Sequence, residues 1–181
     1  MLITIRELEQ NPLDFEEERS AGALDLGADV LQIGVLKTSG RAELLEEHHG
    51  KHLVMQDIRL HGQLTANLEM TCARCLESVV HPVEREFDLL YRPATVASKV
   101  PEVEVKGAES EISYYSGDGL DLNDALREQV LLALPLKVVC REDCKGLCPS
   151  CGCNRNTEAC SCAAIADPRW EGLKDLQSKM Q

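Results

Sequence analysis

Between Leu31 and Tyr91 the chain alternates with period two in three blocks. They are Leu31, Ile33 and Val35 running on to Ala42 and Leu44; Ile58, Leu60, Gly62, Leu64, Ala66, Leu68 and Met70; and Val79, His81, Val83, Arg85, Phe87, Leu89 and Tyr91. Apolar positions alternating with polar ones predict strands that bury one face. Gly34, Gly40, Gly50 and Gly62 fall where bulges or turns are expected, so the predicted packing is a strongly twisted antiparallel β-meander or partly closed barrel. Residues 1–8 also alternate, Leu2, Thr4, Arg6 and Leu8 against Ile3, Ile5 and Glu7, which predicts a short edge strand ended by Asn11-Pro12. Phe15-Glu16-Glu17-Glu18-Arg19, followed by Ser20-Ala21-Gly22, reads as a charged surface connection.

The period changes at Asp121. This residue can cap a helix whose first turn carries Asp124 and whose apolar face is Leu122, Ala125, Leu126, Val130, Ala133 and Leu134, with Pro135 ending it. Its expected role is to cover the open face of the sheet. The stretch before it, about residues 93–119, has few apolar anchors and carries Glu102, Glu104, Glu109 and Glu111; it reads as a long acidic loop with a short strand near 103–105 or 112–115. Near the C-terminus, Asp167-Pro168 predicts a second helix start, with Trp170, Leu173, Leu176 and Met180 at helical spacing. The fold class is therefore α+β. A β-rich domain with one covering helix occupies residues 1–136, and a cysteine-rich segment with a short helix occupies residues 137–181.

Composition supports a folded core, since 44% of the 181 residues are hydrophobic and 28% are charged. A chain of this size buries roughly 70% of its unfolded surface. MLITIRELEQNP has neither a basic start with an apolar run nor a cleavage site of small residues, and no run of about 18 apolar residues occurs. The expected location is the cytoplasm, with no membrane partner. There thiols stay reduced, and clustered cysteines bind metal or carry redox chemistry more often than they form disulfide frameworks.

Seven of the nine cysteines lie between Cys140 and Cys162, CREDCKGLCPSCGCNRNTEACSC. Cys148-Pro149-Ser150-Cys151-Gly152 has the form of a zinc knuckle, a tight turn that aims two thiolates at one ion, and Gly152 can take the positive φ such a turn needs. Cys72-Ala73-Arg74-Cys75-Leu76, between the second and third strand blocks, presents a second CxxC at a hairpin tip. A redox CxxC usually opens a helix beside a βαβ unit, and none surrounds this one. His48, His49 and His52 read as a solvated hairpin end rather than a metal site.

A closed structural zinc site takes four ligands. Two sites follow if Cys148 and Cys151 join Cys160 and Cys162 while Cys72 and Cys75 meet Cys140 and Cys144, clamping the tip to the chain after the helix and leaving Cys153 spare. The rival is one site built from the two CxxC pairs, Cys72/Cys75 with Cys148/Cys151. The cofactor expected is Zn2+, two ions or one. A catalytic zinc keeps an open position and usually recruits histidine or carboxylate, so no enzyme and no small-molecule substrate are expected.

Net charge is −12, which repels nucleic-acid phosphates over most of the chain. The imbalance is uneven. Residues 1–30 carry two basic against eight acidic side chains, whereas residues 137–181 carry seven against six. Arg141, Lys145, Arg155 and Arg169 are accordingly the candidate RNA contacts. Six aromatic residues leave little for base stacking, which favours a protein-facing factor over a reader of single strands.

Cys72-Ala73-Arg74-Cys75-Leu76, Leu134-Pro135-Leu136 before Cys140, Asp143-Cys144-Lys145-Gly146-Leu147-Cys148-Pro149-Ser150-Cys151-Gly152 and Asp167-Pro168-Arg169-Trp170 together resemble the YceD family of large ribosomal RNA subunit accumulation proteins. The resemblance spans essentially the whole chain, and Cys153 departs from the family pattern. It implies a cytoplasmic bacterial factor, or a plastid relative, that supports accumulation or processing of 23S ribosomal RNA, with the large-subunit RNA precursor or ribosomal assembly proteins as partners. A reading from another class also fits nine thiols in an acidic chain: a redox sensor or thiol-switched chaperone in which oxidation ejects zinc.

Overall fold

The computed structural model describes residues 1–49, 53–97 and 112–162, which divide between two compact units. The first holds residues 1–70 and 79–136; the second holds residues 71–78 and the chain from Lys137 onward. The elements are β1 (Leu2–Thr4), α1 (Ile5–Leu8), β2 (Leu13–Arg19), β3 (Val30–His49), β4 (Leu53–Thr71), β5 (Ser78–Pro93), α2 (Ala94–Ala97), β6 (Ile112–Tyr115), β7 (Gly119–Asp121) and α3 (Leu122–Leu132).

In the first unit β2-β3-β4-β5-β6 form one mixed sheet that does not close into a barrel, while β1 and β7 pair antiparallel as a separate ribbon. The β2–β3 and β3–β4 pairs are antiparallel and β5–β6 is parallel. Ile58, Leu60, Leu64 and Leu68 of β4 are fully buried, as their alternation predicts. On α3, Asp121 caps the helix by accepting from the Asn123 N–H at 2.9 Å, and Leu122, Ala125, Leu126 and Val130 are buried, so the predicted apolar face is the one that packs. Fully burying an aliphatic side chain of this size contributes about 2 kcal/mol.

Several expectations change. Residues 1–8 are not one strand: after Thr4 the chain turns into α1, because the Thr4 hydroxyl accepts from the Glu7 N–H at 3.3 Å while the Glu7 carboxylate accepts from the Thr4 N–H at 3.1 Å. This capping box overrides the alternation. Residues 13–19 are not a loop but the edge strand β2, in which Phe15 is buried and the charged residues around it keep the edge soluble. In β3 the face that packs is the opposite parity to Leu31 and Val35, both exposed; Gln32, Leu36, Thr38 and Ala42 are buried instead. The register shifts between Ile33 and Lys37, and the Gln32 amide holds that irregularity by donating to the carbonyls of Arg19, Ser20 and Gly34.

Gly40 and Gly62 mark neither a bulge nor a turn. They face each other in a continuous ladder, and a Cβ on either would come within 2.4 Å of a cross-strand carbonyl. Phe15 and Phe87 cover the gap with their rings. Of the expected acidic loop, residues 94–97 are helical and residues 112–115 form β6; residues 98–111, including the alternative strand at 103–105, lie outside the described residues, as do Gly50, His52 and the helix expected from Asp167.

Candidate metal centres

The second unit contains every cysteine, and all nine are unbridged thiols. Its geometry begins with a turn that occurs twice. In residues 72–76 the Leu76 N–H donates to the Cys72 carbonyl at 3.0 Å, and in residues 148–152 the Gly152 N–H donates to the Cys148 carbonyl at 2.9 Å. In both, the residue after the second cysteine is left-handed, Leu76 at φ 61° and Gly152 at φ 75°. Each turn points backbone N–H groups at its first sulfur. Those of Arg74 and Cys75 pull the Cys72 thiol down to about 6, and those of Cys151 and Ser150 do the same for Cys148. A peptide turn has thereby made one ready thiolate in each CxxC before any ion is considered.

Each turn meets a differently spaced pair. Cys72, Cys75, Cys140 and Cys144 form one group of four sulfurs all within 4.8 Å of one another; Cys148, Cys151, Cys160 and Cys162 form the other. The structure does not bring Cys72 and Cys75 together with Cys148 and Cys151 in one group. Four sulfurs at about 2.3 Å from a tetrahedral ion sit about 3.8 Å apart. The separations Cys72–Cys144 of 3.9 Å, Cys75–Cys140 of 3.7 Å and Cys151–Cys160 of 3.7 Å match that edge, and Cys148–Cys160 is shorter at 3.3 Å. The donor chemistry agrees. Crowding opposes full ionisation: desolvation and the Cys144 and Cys75 sulfurs push Cys140 up to about 12, and the Cys151 and Cys160 sulfurs push Cys162 up to about 12. A soft divalent cation at the centre of each group would remove this conflict, since it would stabilise all four thiolates at once.

The first centre is built from distant parts of the sequence and held by more than its sulfurs. The Ala73 N–H donates to the Val138 carbonyl at 2.9 Å and the Leu147 N–H to the Arg74 carbonyl at 2.9 Å. Gly146 lies against that same Arg74 carbonyl at φ 71°, where a Cβ would come within 2.8 Å of the oxygen. The Arg74 guanidinium donates to the carbonyls of Glu142 and Cys144 at 2.9 and 3.0 Å. Asn156 donates its amide to the Cys144 sulfur at 3.4 Å and accepts from the Lys145 N–H at 2.8 Å. Asn154 in turn donates to Glu77 and accepts from the Asn156 amide. Cysteine spacing does not single out Arg74, Asn154 or Asn156; the signal in the sequence is Asn-x-Asn between two cysteine pairs, a composition that supplies side-chain bonds to a loop backbone.

The second centre is local. Leu147 and Asn154 bridge antiparallel around its turn, and the Cys148 N–H donates to the Cys153 carbonyl at 2.9 Å. Cys148 is buried, whereas Cys151 and Cys162 are exposed.

Of the candidate RNA contacts, Lys145 and Arg155 are exposed, and their backbone N–H groups bond to Asn156 and Gly146. Arg141 is exposed but occupied: it donates to the Asn156 side chain at 2.9 Å and pairs with Asp143 at 3.3 Å. Arg169 lies outside the described residues. Among the described residues no helix is long and apolar enough to cross a membrane.

The sequence model of the family described as large ribosomal RNA subunit accumulation protein YceD matches residues 60–177. An uncharacterized protein of Mycobacterium tuberculosis is 31% identical over 124 residues, covering 68% of this chain and 57% of the relative. The large ribosomal RNA subunit accumulation protein YCED homolog 1, chloroplastic, of Zea mays is 27% identical over 128 residues, 58% of this chain and 44% of that protein. Its Arabidopsis thaliana namesake is 26% identical over 148 residues, 68% and 46%. The chain spans about half the length of the curated relatives it matches. No solved structure matches it.

Proposed function

The chain belongs to the YceD family, and on that premise we propose that it is a non-catalytic cytoplasmic factor that supports accumulation or processing of 23S ribosomal RNA in the large subunit, with two structural zinc ions. The observation that carries the reading is the family match over residues 60–177, which includes both CxxC turns. The zinc part draws on two all-sulfur groups with tetrahedral spacing, a donor set that suits a d10 ion and offers no open position for a substrate. In this reading the ions fix the two turns, and the second unit, whose residues 137–181 carry seven basic against six acidic side chains, presents Lys145 and Arg155 to the ribosomal precursor.

Loss of the gene is expected to lower mature 23S RNA and 50S particles more than 30S particles, seen by sedimentation of ribosomes from deletion cells. Unchanged 50S levels reject the assignment. Lys145→Glu with Arg155→Glu should leave metal content intact and weaken precursor association most at low salt, with a shallower salt dependence than that of the unmodified chain. A protein partner among the assembly proteins is indicated instead if this double variant complements fully. The redox-sensing reading draws on the exposed sulfurs of Cys151 and Cys162; it predicts that mild peroxide releases zinc and changes activity together.

A further inference from the structure

The second centre has a sulfur beyond its four. Cys153 Sγ lies 3.4 Å from Cys151 Sγ, closer than the 3.7 Å that separates Cys151 from Cys160, and it also interacts with the Cys160 thiol. Cys162 neighbours the same two sulfurs, Cys151 and Cys160, together with Cys148. Two thiols therefore flank one shared pair. The backbone explains why Cys153 can stand there: the Gly152 turn reverses the chain, and the bond from the Cys148 N–H to the Cys153 carbonyl fixes Cys153 opposite Cys148. Cys162, by contrast, is exposed and lies two residues beyond Cys160.

We infer that Cys153 is a fifth ligand of the second centre, which holds a thiophilic divalent cation through Cys148, Cys151, Cys160 and either Cys162 or Cys153 in alternation. The inference rests on the metal-centre reading above. The exchange balances without any oxidant: one thiolate bonds to the ion as the other leaves and takes up the proton the first gave up. An entering thiolate held beside the ion also gives that ion an associative route out, so the second centre passes metal to an acceptor more readily than the first, whose sulfurs interact among the described residues with one another and with no further thiol.

The test loads the full-length reduced chain with Co(II) alone and reads cobalt per chain and the thiolate-to-cobalt absorption. Wild type should take up two ions in four-thiolate sites. Cys153→Ser and Cys162→Ser should each keep two with unchanged absorption, and the double variant should lose the second centre's four-thiolate absorption, while the first centre's ion reports that the unit is still folded. Loss of that absorption in either single variant overturns the inference, as does its survival in the double variant. Wild type taking up fewer than two ions instead sinks the two-centre reading on which it rests. A second readout separates ligation from mere proximity: transfer of cobalt from the second centre to a chelator should be severalfold slower in Cys153→Ser than in wild type, and an equal rate contradicts the exchange.

Discussion

The two cysteine centres share one turn and differ in almost everything around it. Both begin with CxxC, both close it by an N–H to the first cysteine's carbonyl, and both lower the first thiol to about 6. The first centre then recruits sulfurs 65 or more residues away, buries Cys72, Cys75 and Cys144, and is cross-braced by Arg74, Asn154 and Asn156. The second draws its sulfurs from a 15-residue stretch of chain, leaves two of them exposed and keeps a spare thiol alongside. The same local chemistry can thus serve two ends. Closing a long loop fastens distant segments together, whereas closing a short one shapes only its own loop and would leave a bound ion within reach of solvent.

The largest expected effect is metal removal. Structural zinc contributes roughly 10–16 kcal/mol in small zinc domains, and the first centre joins residues 71–78 to residues 137–147. Chelation of the reduced chain should therefore raise hydrogen exchange in both of those segments, while β4 core amides around Leu60 and Leu64 stay protected. Equal loss of protection in the sheet would erase the distinction between the unit that needs the ions and the one that does not.

Gly146→Ala comes next. Its Cβ would collide with the Arg74 carbonyl in a left-handed conformation, which together cost about 2 kcal/mol or more. Chemical denaturation of the metal-loaded chain should show the loss, with metal release from the first centre faster than in the unmodified chain and release from the second unchanged. An equal acceleration at both centres would mean that the Arg74 contact does not brace the first one selectively.

The sign reverses at Leu76. It sits at φ 61° with its side chain exposed, in the place that glycine fills in the other turn. Leu76→Gly should stabilise the first turn by about 1 kcal/mol through relief of the left-handed penalty, less the entropy glycine adds to the unfolded chain. Denaturation midpoints decide this, and a loss of stability would show that the exposed leucine makes a contact worth more than the strain.

Thiol reactivity supplies the smallest effect. In the metal-free folded chain the depressed pKa of Cys148 favours the folded form above the unfolded value of 9.0, and that contribution is lost as pH falls through about 6. At pH 7 Cys148 is thus largely thiolate, and because low-pKa thiolates are weaker nucleophiles the gain in alkylation over an ordinary cysteine is only a few-fold. Cys72 shares the lowered value but is fully buried while the first turn stays closed, so its labelling waits on the opening of residues 71–78 and should be slower than that of Cys148. Peptide mapping after brief iodoacetamide treatment compares them directly; faster labelling of Cys72 would contradict the difference in burial.

Where chemistry repeats locally, the sequence was readable. The CxxC spacing, Gly152, the Asp121 cap and the apolar face of α3 each announce a structure that needs only near neighbours. The errors came from competition between scales. Alternation across residues 1–8 concealed a capping box at Thr4 and Glu7 that stops the strand after three residues. The acidic run at 16–18 resembled a loop because an exposed edge strand carries charge for its own reasons. Leu31 and Val35 point away from the core because a buried glutamine, satisfied by three carbonyls, took the inward face. Spacing alone left two pairings of the cysteines open, since choosing between them needs the hairpin tip and residues 137–147 in one place. Arg74 and Asn156 could not be weighted for the same reason.

The division of the sulfurs is the central claim, and metal counting in ligand variants tests it most directly. Cys72→Ser, Cys148→Ser and the double variant, each purified reduced and full length, are measured for bound zinc against the unmodified chain. Two separate centres predict that each single variant loses one ion and the double variant loses both. A double variant that retains as much metal as either single variant would contradict the account and establish one site shared by the two CxxC turns.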